Sequence, residues 1–233
     1  MSLQVPVVAI DGPSGSGKGT IADALAHRLG WHRLDSGALY RSVGVAAEQQ
    51  GIALDDPAAL ALLTRGLELS FDTSPAGEIV RLQGRDVTSA IRSEAAGRAA
   101  SVLSAVPAVR QALLARQRAF AVAPGLVADG RDMGTVVFPD ARLKVFLTAS
   151  PEQRAARRYK QLKEKGIDVS LRDLSQGIAD RDRRDSSRAV APLRAADDAR
   201  VLDSTELRPA DVLQQILEWL RGAGVAVPPA RGN

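Results

Sequence analysis

Apolar positions along the chain follow two rhythms. Short continuous apolar runs at Val5 to Asp11, Leu126 to Asp129, Leu143 to Thr148 and Arg200 to Asp203 read as buried strands. Between them, apolar residues recur at helical spacing. In Lys18 to Leu29 the residues Ile21, Leu25 and Leu29 repeat at i+4 with Ala22 and Ala26 beside them, a stripe suited to lying on a parallel sheet. Trp31 to Asp35 adds a short strand, and Pro107 to Ala121 and Pro209 to Arg221 read as further helices. Strands alternating with helices predict a three-layer α/β fold around a parallel sheet.

One stretch departs from this alternation. Leu67 to Asp72, Glu78 to Leu82 and Arg85 to Val87 alternate apolar and polar residues, separated by turn signals at Ser74-Pro75-Ala76-Gly77 and Gln83-Gly84, which predicts a small inserted antiparallel meander. Pro151 to Arg194 differs again. Arg154, Arg157 and Arg158 share one helix face, and a second helix dense in Arg and Asp follows, as expected of a basic lid. The expected division is a core of residues 1–35, 104–150 and 195–227, an insertion at 36–103, a lid at 151–194 and a disordered tail at 228–233.

Composition narrows the chemistry. With 233 residues and 45% apolar content the chain can bury a substantial core. No apolar run approaches the roughly 20 residues needed to span a bilayer, and the N-terminus lacks the marks of a signal peptide, so a cytoplasmic protein is expected. The absence of cysteine excludes disulfides and a thiol nucleophile, and two histidines make a poor basis for a zinc site. Of 31 basic residues only Lys18, Lys144, Lys160, Lys163 and Lys165 are lysines; the rest are arginines, suited to bidentate phosphate contacts. The net charge of +4 favours anionic ligands. Four Phe, two Trp and two Tyr are too few and scattered to form stacking platforms for nucleic acid.

The sharpest chemical signal lies between the first strand and the first helix. Residues Gly12, Pro13, Ser14, Gly15, Ser16, Gly17, Lys18, Gly19 and Thr20 form a glycine-rich turn whose backbone N–H groups can cradle phosphates. Lys18 then reaches the β and γ phosphates. The usual hydroxyl directly after the lysine is replaced by Gly19, with Thr20 one place later. Mg²⁺ is therefore expected to be held mainly by phosphate oxygens and water, with Thr20 on a phosphate or a metal-bound water. Asp129, at the end of an apolar run, is the candidate carboxylate for a metal-bound water; helix capping is the other role its position allows.

The strings GPSGSGKGT at 12–20, LDSGALYR at 34–41, DGRDMGTVVFPDA at 129–141 and RDRRDSSRAVAPL at 181–193 together resemble the bacterial cytidylate kinases, over Val7 to about Leu220. This resemblance implies a P-loop NTPase fold with an acceptor-nucleotide-binding insertion and a lid. It implies an enzyme that moves the γ-phosphoryl group of ATP onto CMP or dCMP with Mg²⁺. By the same resemblance Arg41, Arg131 and Arg188 hold the acceptor phosphate, with Arg131 and Arg188 bridging to the transferring group. Ser101, Arg110 and Asp132 surround the cytosine, and Arg181 and Asp185 lie at the sugar hydroxyls. Ser36 and Tyr40 open the acceptor segment.

Reaction physics agrees, because two phosphates that repel each other need positioned cations, and an ionised acceptor oxygen needs no general base. From the residues alone, Ser101 also reads as a packing position, Arg181 and Asp185 as an i,i+4 surface pair, and Tyr40 as a core residue. Arg157 and Arg158 are candidates for the ATP side, or a plain basic helix face.

The expected partners are ATP and CMP or dCMP, with no nucleic acid and no membrane, and the expected working form is a monomer. A GTPase would read its base with an Asn-Lys-x-Asp loop, yet the one asparagine here is Asn233. Adenylate and shikimate kinases remain as alternatives within the same class.

Overall fold

The computed structural model describes residues 5–74, 77–164 and 166–229. Pro75 and Ala76 of the expected turn, Lys165 of the lid and residues 230–233 of the expected disordered tail lie outside the described residues. In chain order the elements are β1 (Val7–Asp11), α1 (Lys18–Leu29), β2 (His32–Asp35), α2 (Ser36–Gln49), α3 (Pro57–Arg65), β3 (Leu69–Ser74), β4 (Gly77–Leu82), β5 (Arg85–Asp86), α4 (Thr88–Ile91), α5 (Glu94–Leu103) and α6 (Pro107–Arg118). Then come β6 (Leu126–Gly130), a wide helical turn at Met133–Val137, β7 (Leu143–Thr148), α7 (Pro151–Glu164), α8 (Leu171–Ser187), β8 (Arg200–Asp203) and α9 (Pro209–Gly222). Two compact units result, one from residues 1–35 and 118–233 and one from residues 36–117.

The first unit is built on a five-stranded sheet in the order β2-β6-β1-β7-β8, parallel throughout. β1 and β6 are buried along their whole length, which explains their unbroken apolar runs. Val8, Ile10, Val127, Val145 and Leu147 from the sheet pack with Ile21, Leu25 and Leu29 of α1 and with Ile216 and Leu220 of α9. The stripe expected for α1 is thus its buried face. Pro209 starts α9 at a position where the missing N–H costs nothing.

The parallel order sends every strand the same way, so the C-terminal ends of β1, β2 and β6 form one edge. Ligands of open α/β sheets bind at such edges. The predicted helix at Pro107 to Ala121 stops at Arg118, three residues short, and β1 starts at Val7, two residues later than its apolar run.

The second unit holds the three-stranded antiparallel sheet β3-β4-β5, with Leu69 opposite Leu82 and Phe71 opposite Val80. The third strand is shorter than expected, because Val87 turns directly into α4. α2 and α5 lie against each other in this unit, and α3 begins with Asp56 accepting the N–H groups of Ala58 and Ala59. The unit extends to Gln117 and so includes residues 104–117.

Candidate active site

The first unit gathers the cradle and most of the charged candidates. Gly12 (φ 152°), Gly15 (φ 79°) and Gly17 (φ 92°) take backbone angles that other residues avoid, and they bend β1 into α1. A side chain at Gly12 would also meet the Leu147 carbonyl oxygen at 2.0 Å, so the turn is wedged against β7. Lys18 curls back over the loop and donates to the Pro13 carbonyl at 3.0 Å. Burial, and the neighbouring charges of Arg131 and Arg181, hold the Lys18 ammonium well below its ordinary pKa, against the pull of Asp129 and Asp35. The Ser16 hydroxyl is buried in the cradle with no hydrogen-bond partner among the described residues. A loop that crowds cations and leaves a hydroxyl unused fits a polyphosphate.

Asp35 and Asp129 stand opposite each other in the β2–β6 register, at the ends of both strands. Asp129 is buried and lies 3.9 Å from where a side chain on Gly19 would begin. It accepts a 3.4 Å hydrogen bond from Arg33, whose other nitrogen lies 3.6 Å from Asp23. Among the described residues no group of three or more His, Cys, Asp or Glu is arranged to hold a metal. Two neighbouring carboxylates beside a phosphate cradle do fit Mg²⁺ that keeps its waters and leans on the nucleotide. Thr20 is exposed at the mouth of the loop.

The loop after β6 and the helix α8 meet around one carboxylate. Arg131 donates to Asp185 at 3.0 Å and to the Gly130 carbonyl at 3.1 Å, and Arg181 reaches Asp185 at 3.8 Å. Burial alone would push the Asp185 carboxyl up, yet the guanidinium groups of Arg131, Arg181 and Arg188 outweigh it and hold the group below the usual carboxylate range. Arg181 and Asp185 lie one turn apart on α8, but the expected third member of that face, Arg188, stands just past the helix as its extended C-cap, because α8 ends at Ser187; all three act with Arg131 around one carboxylate. Arg181 also donates to the Ser14 hydroxyl at 3.5 Å, which ties α8 to the cradle.

α7 is tied to the cradle as well. Arg154 donates to the Ser14 carbonyl at 3.1 Å and pairs with Asp182 of α8 at 2.7 Å. Arg157 donates to the Ser16 carbonyl and to Ser204, which in turn donates to Ser16 and Thr148. Arg158 reaches Gln161 of its own helix. A cavity of ≈ 460 Å³ adjoins the cradle, with Ser16, Thr20 and Ile21 on one side, Arg158 on another, and Leu207 and Val212 as apolar wall.

Three contributors were not singled out from sequence as parts of this array: Arg33, Ser204 and the inward-turned Arg154. The contacts that bring them here, Arg33 to Asp129, Arg154 to the Ser14 carbonyl and Ser204 to the Ser16 carbonyl, span 96, 140 and 188 positions, so no local spacing announces them.

The second unit holds its own polar cluster. Arg110 is buried and donates to the Tyr40 hydroxyl at 3.4 Å and to the Ser104 carbonyl at 3.3 Å; Ser104 donates to the Ser101 carbonyl at 2.9 Å. Ser36 is the first residue of α2, immediately after Asp35, and Arg41 lies one position beyond Tyr40 on the same helix.

With this geometry in place, similarity to known proteins decides the family. The family model described as cytidylate kinase matches residues 8–222. The chain belongs to the cytidylate kinase family. It is 57% identical to the cytidylate kinase of Nitrosococcus oceani, over 95% of this chain and 99% of that one. It is 60% identical to that of Pseudomonas syringae pv. tomato, over 93% of this chain and 96% of the other. Among solved structures it is similar to a shikimate kinase from Acinetobacter baumannii, with TM-score 0.43 and 17% identity over 95% of this chain and 96% of that one.

Proposed function

We propose that the protein transfers the γ-phosphoryl group of ATP to CMP or dCMP, giving ADP and CDP or dCDP. Membership of the cytidylate kinase family supports the reaction. The observation that carries it is the crowding of Lys18 by Arg131 and Arg181 beside an intact phosphate cradle, since like charges gathered under burial call for an anion.

In this reading the amides of residues 12–19 and the Lys18 ammonium hold the β and γ phosphates of ATP, and the cavity walled by Leu207 and Val212 takes the donor's base and sugar. Bound Mg²⁺ supplies charge neutralisation between the β and γ phosphates, and Thr20 and Asp129, with Asp35 alongside, are the residues that would hold it through water. Arg131 and Arg188 neutralise the equatorial oxygens of the transferring group and, with Arg41, the acceptor phosphate. Asp185 keeps the Arg131 fork extended until substrate arrives. Arg110, Ser101 and Asp132 read the amine and ring edge of cytosine, Tyr40 and Ser36 line the acceptor segment, and Arg181 with Asp185 meets the sugar hydroxyls. Arg157 and Arg158 act from α7 on the donor side.

The protein works as a cytoplasmic monomer in this reading; sedimentation with and without nucleotides measures its mass. The direct test is an assay of phosphoryl transfer from ATP to CMP, dCMP, UMP, AMP and shikimate. CMP and dCMP are expected to be the best acceptors, and faster transfer to AMP or shikimate overturns the assignment. No helix of the described residues is long and apolar enough to cross a membrane.

A further inference from the structure

We propose that Asp11 is a positioning residue for phosphoryl transfer: its carboxylate fixes residues 131–134, and so Arg131 and Asp132, against the cradle that starts at Gly12. The proposal rests on the reaction assigned above. Asp11 ends β1, where the four residues before it, Val7 to Ile10, are apolar and buried. Each of its carboxylate oxygens accepts one backbone N–H at 2.8 Å, Oδ1 from Met133 and Oδ2 from Gly134. Those amides open the wide turn whose N–H groups at Val137 and Phe138 bond five residues back, to Asp132 and Met133.

The anchor itself has no room to shift. Asp11 is in register with Gly130 on one side and Phe146 on the other, and Gly12 is wedged on the Leu147 carbonyl. Position 131 therefore leaves the sheet one residue after the rung Asp11 shares with Gly130, and the amides two and three residues beyond Arg131 are pinned to that same rung. A side chain that only filled space here would be apolar like its four predecessors. Burial makes the carboxylate costly, pushing its pKa up to about 7 even though the two amides and Arg131 act in its favour; Asp132 adds to the rise, and neither strand neighbour titrates. Two otherwise orphaned amides next to the reaction's arginine account for keeping it.

Asp11→Asn preserves the shape but leaves one acceptor and turns an NH₂ toward the other amide. Arg131 then loses its fixed origin while the cradle keeps its glycines. The expected result is a kcat for CMP about 10- to 100-fold lower, with KM for ATP changed less than about threefold. Amide exchange at Met133 and Gly134 should quicken in the same variant. The wild type should show an acid limb in kcat near pH 7 that Asp11→Asn lacks, whereas the second ionisation of the CMP phosphate, near pH ~6, is common to both. An unaltered kcat, or unaltered exchange at both amides in a folded variant, overturns the proposal.

If Asp11→Asn does not fold, the wild type serves alone. Protection of the Met133 and Gly134 amides at pH 8, corrected for intrinsic exchange, should match that of the buried β1 and β6 amides, and exchange as free as that of an exposed loop overturns the clamp. Failure of the wild type to phosphorylate CMP would sink the assigned reaction while leaving the exchange result standing, so the two failures are told apart.

Discussion

Arg131 and Asp185 form one pair, but removing either end has different consequences. Arg131→Ala leaves Asp185 facing Arg181 and Arg188, so its charge remains compensated and the fold should hold. Turnover is expected to drop about 10²- to 10³-fold, as for the loss of one donor to a transition-state oxygen; kcat within a few-fold of wild type would remove Arg131 from the mechanism. Asp185→Asn instead takes from three guanidinium groups the buried carboxylate that they share. Because removing one member of a buried ionic cluster leaves uncompensated charge, this variant should melt several degrees below Arg131→Ala, and equal melting temperatures would contradict the shared-carboxylate picture. If Asp185 also meets the sugar, its loss changes kcat/KM for CMP and dCMP by different factors. The residue types and the i,i+4 spacing of Arg181 and Asp185 on α8 were visible in the sequence, but their inward direction and the end of the helix before Arg188 were not. A helix face dense in Arg and Asp looks the same whether it meets solvent or a facing arginine, and only the loop after β6, some 50 positions away, decides.

The elements that sequence reading located best are those whose burial is complete or periodic: β1, β7, α1 and α9 all lie within two residues of their expected bounds. β8 also falls at its expected bounds, but it is mostly exposed rather than buried, because it is the edge strand of the sheet. The wide turn at Met133–Val137 escaped notice because Met-Gly-Thr-Val-Val has no turn chemistry and resembles a short apolar strand. Its shape comes from acceptors supplied by Asp11, more than 120 positions earlier. A similar long-range fact governs the crossing of α2 and α5. Gly44 allows the two helices to approach so closely that a side chain there would meet the Ala99 Cβ at 2.9 Å and Leu103 at 3.6 Å. Within a helix, Gly→Ala normally gains about 1 kcal/mol of propensity. Here the clash is with a helix rather than a flexible side-chain tip, so Gly44→Ala is expected to destabilise by about 1–2 kcal/mol, read as a lower denaturant midpoint with unchanged m. A raised midpoint would mean that α5 can slide away without loss.

At the scale of the whole chain, stability should depend on pH through the same Asp11 carboxyl. The Asp11 pKa stands at about 7 in the folded protein against 3.8 in the unfolded chain, so the folded state holds the proton more tightly. Its stabilising contribution is therefore complete below about pH 3.8 and is lost as the pH rises through about 7. Asp185 has the opposite sign: its pKa is lowered, so its contribution is present above the ordinary carboxylate range and lost in acid, leaving little slope between pH 5 and 7. Over that interval Asp11 alone should cost about 2 kcal/mol. The measurement has a built-in reporter, because Trp31 and Trp219 both belong to the unit of residues 1–35 and 118–233, which also contains Asp11. Tryptophan fluorescence therefore follows the unfolding of that unit, while far-UV circular dichroism follows both. Urea titrations at pH 5, 6 and 7 should show the fluorescence midpoint of the wild type falling relative to Asp11→Asn as pH rises, whatever constant offset the lost hydrogen bond introduces. Parallel midpoints across the three pH values would place the Asp11 carboxyl near its ordinary pKa, and burial would then not be the force acting on it.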